Sequence, residues 1–111
     1  LFVETEEQLD AVTALSGSGP AFVYLFAKEM IEAGEKQGLP KEVATQLFKQ
    51  TLLGSAKMVS QSQEPLTTLM ERVASKGGTT EAGLKVLEER GLKGILEKTI
   101  SAATQRAREL R

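Results

Sequence analysis

A chain of 111 residues with 41% hydrophobic, 5% aromatic and 26% charged side chains is the size of one domain and can bury a soluble core. Fourteen basic against fifteen acidic side chains, a formal net charge of -1, argue against a nucleic-acid binder, which would show a basic patch or stripe. With no cysteine and no histidine the chain has no disulfide, thiolate nucleophile or Ser-His-Asp triad and lacks the usual zinc and haem ligands, so its chemistry must use hydroxyls, carboxylates, lysines, backbone N–H groups or an imported cofactor.

No apolar run reaches the ~18 residues of a membrane span and no signal peptide is visible, which makes a cytoplasmic setting the default expectation. The opening Leu1-Phe2-Val3 lacks an initiator methionine and reads as a strand end or linker belonging to a longer protein.

The periodicity that follows is helical almost throughout. A first helix is expected from Glu6 to Leu15. The run Ser16-Gly17-Ser18-Gly19-Pro20 then interrupts regular helix. A second helix starts near Pro20, a residue favoured in a first turn, and ends at Gln37 before Gly38 as C′ glycine. Its opening, Ala21 to Ala27, is apolar on every side, and a helix of that kind is surrounded by protein. Tyr24 lies in this stretch and is read as core. Beyond it Glu29, Glu32 and Glu35 with Lys28 and Lys36 make a solvated face.

A third helix restarts at Pro40 and reaches about Gln63. Val43, Ala44, Leu47, Phe48, Leu52, Met58 and Val59 fill an arc of roughly 180°, wider than one core stripe, and Leu53 lies outside it. At 1.5 Å per residue this helix spans roughly 35 Å, enough to cross the whole domain and meet a second chain. Pro65 opens a fourth helix, Leu66 to Ala74; a fifth runs from Thr80 to Arg90 and stops at Gly91. The sixth carries Leu92, Ile95, Leu96, Ile100, Ala103, Ala107 and Leu110 at spacings of three and four. The expected fold is all-α, a bundle of about six helices with short connections. Arg106, Arg108 and Arg111 cluster at its end, where they are expected to complement the negative pole of the last helix.

Two segments can carry chemistry. In Ser16-Gly17-Ser18-Gly19-Pro20 a dinucleotide turn would need a third glycine at position 22 and a strand before it; Phe22 stands there, and a tight turn with a serine cap is the plainer reading. In Ser75-Lys76-Gly77-Gly78-Thr79-Thr80, adjacent glycines let the backbone approach a ligand, and the start of the next helix favours a carboxylate or phosphate. A glycine-rich loop with a threonine N-cap accounts for the same residues without a ligand.

Taken together, the segments resemble the C-terminal domain of the pyrroline-5-carboxylate reductases. The resemblance rests on Ala14-Leu15-Ser16-Gly17-Ser18-Gly19-Pro20-Ala21, on Gly38-Leu39-Pro40, and on Leu53-Gly54-Ser55-Ala56-Lys57-Met58. It continues through Val73-Ala74-Ser75-Lys76-Gly77-Gly78-Thr79-Thr80, Ala82-Gly83-Leu84 and Leu87-Glu88. It implies an enzyme that reduces 1-pyrroline-5-carboxylate to L-proline with NADPH or NADH bound by an N-terminal Rossmann domain. Residues 1–5 would be the linker from that domain and residues 6–111 a helical dimerisation and substrate-loop domain, inactive alone.

The resemblance further implies an interleaved homodimer, with rings of dimers in many members. Ser75, Gly77, Gly78, Thr79 and Thr80 would bind substrate: Ser75 and the N–H groups of Gly78 and Thr79 holding its carboxylate, the Thr80 hydroxyl bonding its ring nitrogen as the catalytic residue. No cofactor-binding residue and no metal are expected in this span. Lys76 stands where the family commonly has proline, and is expected to point into water. The alternative is a helical dimerisation module without a ligand site, whose glycine loop is only a connection.

Overall fold

The computed structural model describes residues 4–111; the expected strand end or linker at Leu1 to Val3 lies outside the described residues. Regular structure among them is entirely helical: α1 (Glu6–Val12), a π turn (Thr13–Gly17), α2 (Gly19–Lys36), α3 (Lys41–Gln61), α4 (Leu66–Val73), α5 (Thr79–Glu89) and α6 (Leu92–Leu110). The all-α expectation is met. No helix among the described residues is long and apolar enough to cross a membrane. The chain divides into two compact units, one of residues up to Pro20 with Thr67–Arg111, the other Ala21–Leu66.

In the first unit Thr5 caps α1: its hydroxyl accepts from the Gln8 N–H at 3.1 Å, and Glu6 and Glu7 suit the positive pole. The Gln8 side chain in turn accepts from the Glu4 N–H. The helix does not stop at the glycines. It widens into the π turn, closed by Ser18 N–H on the Thr13 carbonyl at 2.8 Å, and Ser18 itself keeps helical angles. Pro20 has no N–H to give to the Ser16 carbonyl four residues back, so the α ladder must break there, and the wider turn makes the break. No serine caps this junction: the Ser16 hydroxyl donates back to the Val12 carbonyl at 3.0 Å.

Fully covered Ala14 sits in this turn, and its small side chain lets α6 pack against α1 and the turn. Arg111 joins the same elements. Its Nε donates to both oxygens of the buried Asp10 carboxylate at 3.2 and 3.1 Å, and its Nη1 to Glu6 at 2.7 Å. The Asp10 hydrogen bond, against a smaller opposing effect of burial, holds the guanidinium pKa above its ordinary value. A raised folded-state pKa contributes stability fully below the unfolded value and loses it only as pH rises through the folded one; from the arginine side the clamp is therefore constant across the neutral range. Arg111→Ala is expected to lower the thermal midpoint, because Asp10 keeps its burial and loses its counter-charge. A melt matching the wild type would show the pair to be idle. Arg106 pairs with Glu109 at 3.0 Å and Arg108 with Gln105 at 3.2 Å. The arginine cluster is thus engaged by side chains, two of them (Asp10 and Glu6) from the other end of the unit, and not by the helix pole alone.

The second unit is built on α2 and α3. Gly38, at φ 102°, ends α2: Leu39 N–H reaches the Gly34 carbonyl and Gly38 N–H the Glu35 carbonyl, the paired bonds of a Schellman stop. Gly34 and buried Ala44 face each other at the crossing, where a Cβ on Gly34 would meet the Ala44 Cβ at 3.6 Å. Beyond them the Phe26 and Phe48 rings lie 6.3 Å apart. Little else is covered. Val23, Tyr24, Leu25 and Phe26 are 45, 69, 57 and 47% exposed, and on α3 Val43, Leu47, Leu53, Met58 and Val59 are exposed too. Tyr24 is therefore not core within one chain. Lys28, paired with Glu32 at 3.0 Å and Glu29 at 3.3 Å, holds the expected wet face.

Candidate anion-binding site at the start of α5

The segment from Ser75 to Thr80 leaves α4 and enters α5, all within the first unit. Gly77 turns it with φ 76°, a left-handed conformation that costs a side-chain-bearing residue about 1 kcal/mol or more. Gly78 is the N-cap, with no side-chain cap bond, and Thr79 is the first helical residue. Neither threonine is the cap, and α5 begins one residue earlier than the spacing suggests.

The donors of the loop fall into two groups. Gly78 N–H donates to the Ser75 carbonyl at 3.0 Å, and Gly77 N–H to Glu81 Oε1 at 3.0 Å. The first backbone bond of the helix is Ala82 N–H to the Gly78 carbonyl at 3.2 Å. The N–H groups of Thr79, Thr80 and Glu81 precede it and have no ladder partner, as at any helix start, and they coincide with the positive pole. Such a group of donors is receptive to a carboxylate or phosphate.

Ser75 lies folded over the second glycine. A Cβ at Gly78 would stand 2.6 Å from Ser75 Oγ and 3.1 Å from the Ser75 carbonyl oxygen. Space disfavours a side chain there, since the Ser75 hydroxyl would have to turn away and its carbonyl give by a few tenths of an ångström; at Gly77 the backbone angle disfavours one. Thr80 and Gly78 are half-buried, while Ser75, Lys76, Gly77 and Thr79 are exposed. Ser75, Gly77, Gly78, Thr79 and Thr80 are thus held in one short turn. Of the two N–H groups expected to face a ligand, that of Thr79 is unpartnered, whereas that of Gly78 is engaged within the loop, as is the N–H of Gly77.

Glu81 was not among the expected site residues. The signal that could have found it is its place three residues after the cap, where a carboxylate commonly reaches back to a backbone donor. Gln8 makes the same reach to Glu4 at the start of α1. The other glycine segment does not suit a dinucleotide: Gly17 ends the π turn and Gly19 begins α2, with helix on both sides.

Helices with uncovered apolar faces, joined to a glycine loop that presents free donors, define an associating helical domain with an anion-receptive turn. Comparison with known proteins narrows the class. Residues 6–110 match the family described as pyrroline-5-carboxylate reductase dimerisation. This chain belongs to that family.

It is 46% identical over 110 residues to a pyrroline-5-carboxylate reductase of Pseudomonas aeruginosa, covering 99% of this chain and 40% of that protein. It is 45% identical over 105 residues to the reductase of Glycine max, covering 95% and 38%. Among solved structures, a Coxiella burnetii pyrroline-5-carboxylate reductase superposes with a TM-score of 0.95 at 43% identity, over 99% of this chain and 41% of that one. A Plasmodium falciparum pyrroline carboxylate reductase solved with NADP bound gives 0.88 at 39% identity, over 94% and 40%. The chain therefore spans about two fifths of the length of the relatives it matches.

Proposed function

We propose that this chain is the dimerisation and substrate-loop domain of a reductase that converts 1-pyrroline-5-carboxylate to L-proline, the last step of proline biosynthesis. Membership of the family and likeness to named reductases support the reaction. The observation that carries the site is the turn from Ser75 to Thr80, with unpartnered N–H groups at Thr79, Thr80 and Glu81. The substrate is a small anion with a ring nitrogen, and this turn offers donors suited to one.

In this reading the Thr79 N–H and its neighbours hold the carboxylate, helped by the Ser75 hydroxyl, which can rotate to donate. The half-buried Thr80 hydroxyl faces the ring nitrogen and donates a hydrogen bond to it. Reduction of an imine needs hydride on carbon and a proton on nitrogen. An alkyl hydroxyl is too weak an acid to supply that proton unaided, so it comes from water or arrives on an iminium, and Thr80 orients the ring. NADPH or NADH, bound by residues outside this span, supplies the hydride. Most of the rate then derives from holding the ring against the nicotinamide.

The homodimer forms through α2 and α3, whose apolar faces one chain leaves uncovered. Larger rings of dimers would use other surfaces, and the setting is cytoplasmic.

In the complete protein, consumption of NADPH or NADH should require 1-pyrroline-5-carboxylate and yield proline. Thr80→Ala is expected to lower kcat about 10- to 100-fold, the loss of a hydrogen bond to a charged group worth ~1.5–3 kcal/mol, with the sedimentation coefficient of the dimer unchanged. Wild-type kinetics in this variant would take Thr80 out of the mechanism, and absence of imine reduction by the complete wild-type protein would end the reading itself.

A further inference from the structure

We propose that Glu81 is a positioning residue for the substrate loop, acting through Gly77 and without touching the substrate. The inference rests on the reading of the Ser75 to Thr80 turn given above, and it starts from where the loop's own donors go. Four consecutive residues, Gly77 to Thr80, present N–H groups at one turn of chain. An anion would be offered a diffuse set if all were free. Gly78 N–H is closed by the Ser75 carbonyl at 3.0 Å, and Gly77 N–H by Glu81 Oε1 at 3.0 Å. What remains is the compact group on the first turn of α5.

The Glu81 bond also holds the one left-handed residue of the loop. Gly77 has φ 76°, a conformation that glycine enters and leaves freely. Nothing else fixes it from the side-chain direction: a Cβ added at Gly77 would meet no atom within 4 Å. Loss of the carboxylate acceptor frees Gly77 to rotate, and with it the peptide that carries Gly78 and the hydroxyl of Ser75 stacked against it. Glu81 is rooted in α5, so it references the loop to the helix whose N–H groups bind the anion. That is how one side chain keeps both halves of the site in register.

Gln8 makes the corresponding reach at the start of α1, where no ligand is proposed, so the bond alone is also a helix-start device. The two roles separate by readout. A helix-start role moves only the melting temperature. A positioning role moves substrate affinity, and it depends on the acceptor oxygen, not on the negative charge.

The test is steady-state kinetics on the complete enzyme with 1-pyrroline-5-carboxylate. Glu81→Ala is expected to raise KM about 3- to 10-fold, the range for one hydrogen bond, with a smaller change in kcat. Glu81→Gln, which retains the accepting oxygen, should restore most of the affinity. Wild-type KM in Glu81→Ala overturns the proposal. So does a Glu81→Gln variant as impaired as Glu81→Ala, because charge and not the hydrogen bond would then be at work. Thr80→Ala, measured alongside, distinguishes the two levels. If it impairs turnover while Glu81→Ala does not, only the role of Glu81 fails; if neither variant has any effect, the loop is not the substrate site.

Discussion

Gly78→Ala in the complete protein is expected to lower kcat/KM by about 10-fold, a loss of ~1.4 kcal/mol of transition-state binding. The new methyl would stand 2.6 Å from Ser75 Oγ and 3.1 Å from the Ser75 carbonyl oxygen. The hydroxyl can swing aside, at the loss of its place beside the anion. The carbonyl cannot, since it accepts the Gly78 N–H at 3.0 Å and is part of the turn. The turn must give by a few tenths of an ångström, which shifts the start of α5 and, in the proposed reading, the donors of Thr79 and Thr80. Gly78 has an ordinary φ of -92°, so alanine brings no left-handed strain, although as an N-cap it is a poorer residue than glycine and should also cost some helix stability. Helix content and dimer should be retained, and a variant with wild-type kcat/KM would show that the loop does not hold the substrate.

Leu25→Glu should convert the dimer to monomer at micromolar concentration, seen by sedimentation. In one chain Leu25 is 57% exposed, and a charge there would change stability by no more than about 0.5 kcal/mol. Against an apolar partner surface the same carboxylate would be buried without a counter-ion, which costs about 2 kcal/mol or more. That weakens association at least about 30-fold. The two settings give opposite results from one substitution. A Leu25→Glu protein that sediments as the wild-type dimer would place α2 outside the interface.

Much of this architecture is legible in the sequence because glycine and proline punctuate it. Gly38 and Gly91 take the positive φ values that end α2 and α5, and Pro40 and Pro65 stand immediately before α3 and α4. Those residues restrict the backbone locally, so spacing alone locates them. The π turn was not legible: it begins and ends on residues with helical angles and is marked by a bond that reaches five residues back, from Ser18 N–H to the Thr13 carbonyl. The interruption that the glycines and proline suggested is present, but as a π turn and a bend at Ser18 between α1 and α2.

The Arg111 clamp joins residues 101 and 105 apart, beyond any local pattern. At the loop, the motif drew attention to Ser75 to Thr80, but which N–H groups lack a partner depends on where α5 begins and on the Glu81 contact to Gly77, neither of which spacing alone displays. The exposure of Tyr24 illustrates a different limit. Periodicity reveals that α2 must be surrounded by protein, and it says nothing about whether that protein is the same chain.

The bare flanks of α2 bear on how the protein comes to exist at all. A protomer whose principal apolar helix is covered by a twin has no separate free energy of folding to speak of; its stability is tied to protomer concentration by mass action. Newly made chains would pass through an interval in which Val23, Leu25 and Phe26 face water, and the length of that interval is set by how soon two of them meet. The cell's rate of synthesis then becomes one of the variables that determine how much of this domain is native.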